Sequence, residues 1–320
     1  MISDVELQCA MKQALSNIDL SQFGEQQSGK VREMLALENT RLIVTTDRIS
    51  AFDVVLGVIP YKGQVLNQLA LWWFNQTADI VPNHVISSPD PNVLVAKEAR
   101  PLPIEIVVRG YLTGSTKTSL WTLYNAGTRD AYGMTLPEGL RKNDRLPHAI
   151  ITPTTKAQYG GHDEQITAKQ IVERSLVSSQ LWAQIQTAAL ELFARGQQIA
   201  EQRGLLLVDT KYEFGIIDGE LVLIDELHTP DSSRYWTLES YQKDSSNPYS
   251  IDKEFLRLWY KERGYSGEGT PPPMSEDFIV AVAKRYISAY ETLTGLEFVP
   301  AAQPTARRVS DAIAKYRAAV

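Results

Sequence analysis

The chain has 320 residues, enough for about two domains of roughly 100–200 residues each. Hydrophobic residues make up 43% and charged residues 22%, an ordinary globular composition that excludes a disordered or collagen-like protein. The formal net charge of -6 disfavours a general nucleic-acid or anionic-membrane binder, so we expect neither as a partner.

The single cysteine, Cys9, cannot close an intrachain disulfide or build a cysteine-rich zinc site. No apolar run approaches the roughly 18 residues that a membrane span needs. The N-terminus carries Asp4 and Glu6 and lacks the basic-then-apolar pattern of a secretory signal. The sequence therefore predicts a cytoplasmic protein, and we expect a monomer or a small homo-oligomer.

The first third of the chain is predicted to be rich in β-strands. Runs of β-branched and apolar residues predict strands at residues 41–46, 54–59 and 102–109, and helical spacing predicts a helix at 64–74. The middle changes character: one long amphipathic helix is predicted at 178–203, capped by Ser178 or Ser179 and ended by Gly204.

After that helix the pattern predicts a buried strand at residues 205–208 and a hairpin at 213–226 around Asp218-Gly219. Three further helices are predicted, at residues 252–260, from Ser275 through 287, and at 305–320, with a glycine- and proline-rich loop at 264–273. This order predicts a mixed α+β or α/β protein. We expect domain boundaries that give segments 1–110, 111–245 and 246–320.

A short basic glycine turn is the first candidate site. Residues 24–31 nearly match a Walker phosphate loop, but Val31 stands where that loop needs a metal-binding Ser or Thr. Gly29 to Arg32 can still form a turn between two strands, with backbone N–H groups and the cations of Lys30 and Arg32 facing phosphates. The alternative, a plain hairpin with exposed cations, is favoured by the pattern alone.

The strongest constellation is Asp209, Lys211 and Glu213 with the downstream Asp225. A three-residue loop ending at Gly219 would set residue 211 opposite 225, and all four side chains would then project from one face. A symmetric two-residue loop would place Asp225 on the other face. Three carboxylates around one lysine favour a Mg²⁺ site over the alternative, a solvated hairpin face.

A third cluster lies at the end of the strand at residues 102–109. Arg109 ends that strand, and Gly114-Ser115 then offers a hydroxyl and a close backbone approach, which suits a phosphate or a carboxylate. Arg234 follows the predicted hairpin and could share an anion with Arg109. Either arginine alone would more often be structural.

Two long segments carry a resemblance to a known family. They read Leu102-Pro-Ile-Glu-Ile-Val-Val-Arg109-Gly-Tyr-Leu-Thr-Gly-Ser115 and Leu207-Val-Asp-Thr-Lys211-Tyr-Glu213-Phe-Gly215. Both resemble signatures of the SAICAR synthetase (phosphoribosylaminoimidazole-succinocarboxamide synthase) family. Further segments resemble the family in the same order, at residues 29–32, 46–53, 152–156, 161–163 and 230–236. The resemblance spans roughly residues 23–260.

The resemblance implies an ATP-dependent ligase of de novo purine biosynthesis, which joins carboxyaminoimidazole ribotide (CAIR) and L-aspartate and uses Mg²⁺. The implied route passes through an acyl phosphate. The implied fold is a kinase-small-lobe-like antiparallel β domain that covers the nucleotide, packed on an ATP-grasp-like α/β catalytic domain, with added C-terminal helices.

The resemblance also implies roles for individual residues. The metal ligands would be Glu213 and Asp225, and the catalytic residues Asp209, which orients the nucleophile or accepts a proton, and Lys211, which offsets phosphoryl or carboxylate charge. The implied ATP-binding residues are Gly29, Lys30, Val31, Arg32 and Glu105. The implied substrate-binding residues are Arg109, Ser115 and Arg234 at the ribotide phosphate, with Asp53, Lys156 and His162 near the imidazole or aspartate.

Two other functions stay open at this point. A kinase-like phosphotransferase would share the arrangement of carboxylates and lysine, but the His-Arg-Asp and Asp-Phe-Gly motifs of kinases are absent from the sequence. A non-catalytic nucleotide sensor would be expected to lose charged ligands, whereas Asp209, Lys211, Glu213 and Asp225 are all present.

Overall fold

The chain folds as an α+β protein in the computed structural model, which describes residues 2–115, 119–156 and 164–319. The helices are α1 (Asp4–Met11), α2 (Lys62–Gln76), α3 (Leu120–Asn125), α4 (Ala168–Glu173), α5 (Ser179–Gln202), α6 (Leu238–Lys243), α7 (Glu254–Glu262), α8 (Glu276–Thr294) and α9 (Thr305–Ala319). The strands are β1 (Gln26–Ser28), β2 (Arg32–Ala36), β3 (Thr40–Thr45), β4 (Arg48–Ala51), β5 (Val54–Val58), β6 (Val85–Asp90), β7 (Val93–Lys97), β8 (Arg100–Tyr111), β9 (Asp130–Ala131), β10 (Met134–Thr135), β11 (Arg145–Thr155), β12 (Leu205–Ile217), β13 (Glu220–Ile224) and β14 (Ser233–Thr237).

The first sheet has the order β1-β2-β3-β7-β6, with every neighbouring pair antiparallel. Its first two strands are joined by the predicted glycine turn, where the Gly29 N–H donates to the Arg32 carbonyl at 2.8 Å. The expectation of a turn between two strands is therefore confirmed. Strands β4 and β5 form a separate hairpin, and Asp53 lies at its tip with φ 62°.

The second sheet has the order β11-β8-β12-β13, and β14 pairs with the remaining part of β12. Side chains alternate along β8 and β12, so Ile106, Val108 and Tyr212 enter the main core together with Phe193 of α5. Close approach of α5 to this sheet requires Gly196, because a Cβ there would lie 2.7 Å from the Leu207 side chain of β12 and 2.4 Å from the His228 side chain of the loop after β13. The opposite face of β8 and β12 carries the charged residues.

The β12–β13 hairpin departs from the predicted register. Ile217 lies opposite Glu220, so the loop contains only Asp218 and Gly219, both with positive φ (51° and 86°). The prediction of a three-residue loop was wrong, because aspartate tolerates the left-handed conformation and the pair supplies a two-residue turn with positive φ at both centres. Glu213 consequently lies opposite Ile224, not Leu223.

The helices follow the sequence pattern more closely. Ser178 and Ser275 cap α5 and α8 by accepting hydrogen bonds from the Leu181 and Phe278 N–H groups, as expected, although α8 continues beyond residue 287 to Thr294. The last helix, α9, buries Val309 and Ile313 in one apolar cluster with Leu42, Val44, Val93 and Val95 of the first sheet. Across the described ranges, we find no helix with the length and apolarity needed to span a bilayer.

Candidate active site

Two neighbouring cavities lie on the charged face of the second sheet. The larger one, of about 520 Å³, is enclosed by the Gly29–Arg32 turn, by strands of the first sheet and by the β12–β13 hairpin. The predicted site residues that line it are Gly29, Lys30, Val31, Arg32, Lys156, Lys211, Glu213 and Asp225. The smaller cavity, of about 230 Å³, is lined by Arg109, Asp209, Lys211 and Arg234 among others. Lys211 therefore lines both cavities.

Lys211 neutralises two carboxylates that face each other across neighbouring strands. Glu105 on β8 lies directly opposite Glu213 on β12, and such a like-charge pair is unfavourable without a cation between its members. The Lys211 Nζ donates to Glu105 Oε1 at 2.8 Å and also to Glu213 Oε1, while Lys156 pairs with the other Glu213 oxygen. Burial opposes ionisation of Glu213, but Lys211 and Lys156 together lower its pKa to about 2.

The side chain of Asp225 lines the same cavity because the backbone turns at this residue. Strand β13 ends at Ile224, and Asp225 has a left-handed φ of 68°. If the strand continued, the Asp225 side chain would lie on the other face of the sheet. The side chain pairs with Arg32, which also contacts Glu226 at 3.0 Å. Burial raises the pKa of Asp225, and the carboxylates of Glu213 and Glu226 add to this while Arg32 opposes it.

The carboxylates of Glu213 and Asp225 have the donor chemistry of a Mg²⁺ site. They line one cavity and repel each other, so a cation between them would be stabilising. Mg²⁺ commonly takes one or two carboxylates and fills its other positions with phosphate oxygens and water. Within residues 2–115, 119–156 and 164–319, no group of three or more His, Cys, Asp or Glu side chains is arranged to hold a metal.

The smaller cavity is dominated by arginines that converge on one carboxylate. Arg109 on β8, Asp209 on β12 and Arg234 on β14 lie side by side in register. Both guanidinium groups donate to Asp209 Oδ2, at 3.0 Å from Arg109 and 2.6 Å from Arg234. Arg109 also donates to Thr152 Oγ1 at 2.8 Å, which fixes the plane of its guanidinium. The arrangement suits a doubly charged oxyanion such as a phosphate.

Comparison with protein-family models decides the family. The model described as SAICAR synthetase matches residues 25–272, more than half of the chain. The chain belongs to this family. The prediction made from the two signature segments is confirmed.

Individual relatives agree with this assignment. The putative phosphoribosylaminoimidazole-succinocarboxamide synthase 2 of Agrobacterium fabrum is 52% identical over 277 residues, covering 85% of this chain and 88% of that protein. The phosphoribosylaminoimidazole-succinocarboxamide synthase of Legionella pneumophila strain Paris is 49% identical over 288 residues, covering 88% and 91%. The solved structure of Saccharomyces cerevisiae SAICAR synthase complexed with SAICAR has a TM-score of 0.78 and 32% identity, and the match covers 89% of this chain and 99% of that one. As a SAICAR synthetase, the chain is an ATP-dependent ligase of purine biosynthesis that forms a carbon–nitrogen bond.

Two predicted site residues, Ser115 and Asp53, do not line either of the two cavities. Ser115 accepts from Lys261 Nζ at 2.8 Å and donates to Glu254 Oε1 at 3.1 Å, so its hydroxyl is held by α7. Asp53 pairs with Lys30 of the glycine turn, and its side chain is 74% exposed. His162 lies outside the described residues.

Sequence reasoning missed two cations and the apolar walls. Lys253 and Arg257, one turn apart at the start of α7, line the smaller cavity. The signal available in the sequence was the four-residue spacing between Lys253 and Arg257, which places both cations on one side of a helix. The larger cavity has walls of Met34, Ile43, Ala96, Pro101 and Ile224, which resemble ordinary core positions in a sequence.

Asp252 connects β14, which carries Arg234, to α7, which carries Arg257, and it should make the stability of the fold depend on pH. Its carboxylate accepts from the Tyr235 N–H of β14 at 2.7 Å and from the Glu254 N–H of α7 at 2.6 Å. Burial raises the pKa of Asp252 from 3.8 to about 6, against these hydrogen bonds. The folded state therefore holds a proton that the unfolded state releases between these values, and stability falls as pH rises through that window.

Replacing Asp252 by asparagine removes this titration. The free energy of unfolding of Asp252→Asn, measured relative to wild type, should increase by up to about 3 kcal/mol from about pH 3 to about pH 7 and stay constant above that. Urea unfolding at a series of pH values tests this. A difference that is flat across the series would contradict the raised pKa.

Proposed function

We propose that this SAICAR synthetase joins the carboxylate of CAIR to the amine of L-aspartate, with ATP as phosphoryl donor, and releases SAICAR, ADP and phosphate. The observation that carries the proposal is the position of Lys211, which lines both cavities. A nucleotide in the larger cavity and a ribotide in the smaller one would meet at this ammonium group.

In the first proposed step, a carboxylate oxygen of CAIR attacks the γ-phosphorus of ATP. The bond between that phosphorus and the β–γ bridging oxygen breaks, ADP leaves, and an acyl phosphate forms. Lys211 offsets charge on the transferring phosphoryl group, and the Gly29–Arg32 turn covers the phosphates with Lys30 and Arg32 on its edge. Glu105 holds Lys211 in place.

In the second proposed step, the amine of aspartate attacks the acyl carbon. The amide bond forms, the bond between the acyl carbon and the phosphate oxygen breaks, and inorganic phosphate leaves and takes up the proton that the amine loses. We expect Lys156, at the edge of the larger cavity, to lie near the reacting carboxylate or aspartate. Positioning two anionic substrates beside ATP is the main demand, and well-oriented sites supply ~7–11 kcal/mol of such barriers.

Asp209 has two proposed contributions. Its carboxylate holds Arg109 and Arg234 together, which orients them toward the ribotide phosphate. Orientation of the nucleophile, or acceptance of a proton, is the role that the family resemblance implies. We favour the first contribution, because both guanidinium groups donate hydrogen bonds to the same Asp209 oxygen.

Mg²⁺, held by Glu213 and Asp225, would neutralise phosphate charge on the nucleotide. Both carboxylates are paired with cations of the chain, Lys211 and Lys156 on Glu213 and Arg32 on Asp225. Metal binding therefore requires these pairs to rearrange, and we propose that Arg32 turns from Asp225 to the phosphates.

The domain types, the cellular location, the oligomeric state and two substrate contacts in this proposal rest on the family resemblance alone. We propose the kinase-small-lobe-like and ATP-grasp-like domains, with division near residues 110 and 245, and a cytoplasmic monomer or small homo-oligomer. Asp53 and His162 stay predicted contacts of the imidazole or aspartate. The yeast SAICAR synthase complexed with SAICAR supports a small-molecule site of this class.

An assay of ADP release with ATP, Mg²⁺, CAIR and L-aspartate tests the function. We expect release that requires both CAIR and aspartate, with SAICAR formed in equal amount. Release that is independent of aspartate would instead indicate a kinase or an ATPase. No release under any combination would indicate a nucleotide sensor.

Replacing Arg234 by alanine should mainly weaken ribotide binding. The variant loses one of two guanidinium groups at the proposed phosphate site, and Asp209 keeps Arg109 as its partner. We expect the KM for CAIR to rise ~10–100-fold with kcat changed less than about threefold. Steady-state kinetics with CAIR varied measures both, and Arg141→Ala, on an exposed loop, is the control. An unchanged KM would contradict the assignment.

A further inference from the structure

A buried cluster beside the smaller cavity has no part in the function proposed so far. Asp231 accepts from Lys62 Nζ at 2.7 Å and from the Tyr286 hydroxyl at 2.6 Å, and Lys253 Nζ lies 3.4 Å from it. The side chains of Lys62, Asp231 and Lys253 are 0%, 4% and 10% exposed. Charges at this depth are costly unless they are paired, so the cluster requires an explanation.

The cluster joins four segments that are distant in the sequence. Lys62 begins α2, Lys253 precedes α7 as its N-cap, and Tyr286 lies within α8, while Asp231 lies in the loop before β14. The next residue in that loop, Ser232, accepts from the Lys211 N–H at 3.0 Å. A buried carboxylate therefore fixes the loop against the strand that carries Lys211.

The charges of the cluster do not balance. Both ammonium groups contact the same oxygen, Asp231 Oδ2, and one carboxylate neutralises only one of them. Lys62 is fully buried with this contact at 2.7 Å, whereas Lys253 is farther away and also lines the smaller cavity. Burial lowers the pKa of Lys253, and the positive charges of Lys62 and Arg257 lower it further, whereas Asp231 and Glu226 raise it.

Lys253 has the longest ion-pair contact among the cations that line the cavity, which are Arg109, Lys211, Arg234, Lys253 and Arg257. Arg109 and Arg234 lie 3.0 and 2.6 Å from Asp209. Lys211 lies 2.8 Å from Glu105, and Arg257 lies 3.1 Å from Glu254, whereas Lys253 lies 3.4 Å from an Asp231 that it shares with Lys62. An oxyanion entering the cavity would give Lys253 a partner of its own.

We propose that the Lys253 ammonium binds an oxyanion of a substrate in the smaller cavity, either a phosphate or a carboxylate group. Asp231 is the positioning residue that holds Lys253 toward the cavity, and the Tyr286 hydroxyl fixes Asp231. Helix α8, which lies beyond the family signatures, thereby becomes part of substrate binding. This inference rests on the proposed function, because it takes CAIR and aspartate as the candidate ligands.

Two substitutions test the inference without removing Asp231. Lys253→Met deletes the proposed ligand contact and leaves Lys62 to neutralise Asp231, so we expect it to fold. Tyr286→Phe deletes only the hydroxyl that orients Asp231. Tyr290→Phe, one turn later on α8, is the matched control, because Tyr290 does not line the smaller cavity.

Initial rates are measured with CAIR and with aspartate varied separately. Lys253→Met should raise the KM for one of them ~10–100-fold. Tyr286→Phe should raise the same KM about three- to tenfold with kcat within about twofold of wild type, because it acts only through position. Tyr290→Phe should leave both parameters unchanged. The substrate whose KM rises identifies the source of the oxyanion.

The inference is wrong if Lys253→Met leaves both KM values within about twofold of wild type. It is also wrong if Tyr286→Phe lowers kcat and melting temperature without raising either KM, since that pattern indicates a purely structural cluster. If the wild type itself lacks aspartate-dependent ADP release, the proposed function fails separately. Sodium phosphate titrations of the melting temperature then decide, and equal stabilisation of wild type and Lys253→Met would contradict the oxyanion site.

Discussion

Asp225→Asn should lower kcat by ~10²–10³-fold, because it removes the charge of one of the two carboxylates proposed to hold Mg²⁺ on the nucleotide phosphates. The effect on folding should be small. Burial and the neighbouring carboxylates already disfavour the ionised form, and Arg32 keeps its contact with Glu226. We expect the melting temperature to change by less than about 3 °C.

The same hairpin offers a matched control for this variant. Asp218 lies in the turn between β12 and β13, is exposed, and has a left-handed φ that asparagine also tolerates. Asp218→Asn should leave kcat and the melting temperature unchanged. A Mg²⁺ titration of ATP binding gives a second measurement, in which Asp225→Asn should need more metal. Equal kcat values for Asp225→Asn and wild type would contradict the metal assignment.

Lys211→Met should affect both turnover and stability. Turnover is expected to fall ~10³-fold, because the ammonium lies where the cavities proposed for the nucleotide and the ribotide meet. Stability should fall by ~2 kcal/mol, since Glu105 and Glu213 are then opposed without the cation between them. This value is below that for a fully buried pair, as the Lys211 side chain is 30% exposed.

A double variant separates the two effects of Lys211. Adding Glu105→Gln to Lys211→Met removes one of the opposed charges and should recover most of the lost stability, measured by urea unfolding. It should not recover turnover, because the ammonium group is still missing. Recovery of kcat together with stability would mean that Lys211 only supports the fold.

Features that depend only on residues close together in the chain could be predicted from the sequence. Asp209, Lys211 and Glu213 share a face because strand side chains alternate, and the cap serines begin α5 and α8 because their hydroxyls accept local N–H groups. Such features need only the local pattern. The same holds for the glycine turn between β1 and β2.

Features that depend on backbone conformation or distant contacts were not predictable in this way. The hairpin register failed because Asp218 takes a positive φ, yet Asp225 still reaches Glu213 through its own left-handed φ. Glu213 and Asp225 thus line one cavity, although the register argument that predicted this was wrong. Lys253 and Arg257 reach the smaller cavity only through the packing of α7, which no motif in the chain specifies.

The position of α9 has a consequence for shortened forms of the protein. Ile43 and Ala96 form part of the wall of the larger cavity, which is the proposed nucleotide site. Their neighbours in the same two strands, Leu42 and Val95, share an apolar cluster with Val309 and Ile313 of α9. Helix α9 therefore supports the proposed nucleotide cavity from outside. We expect a chain truncated near residue 300 to keep every signature segment and to bind ATP more weakly.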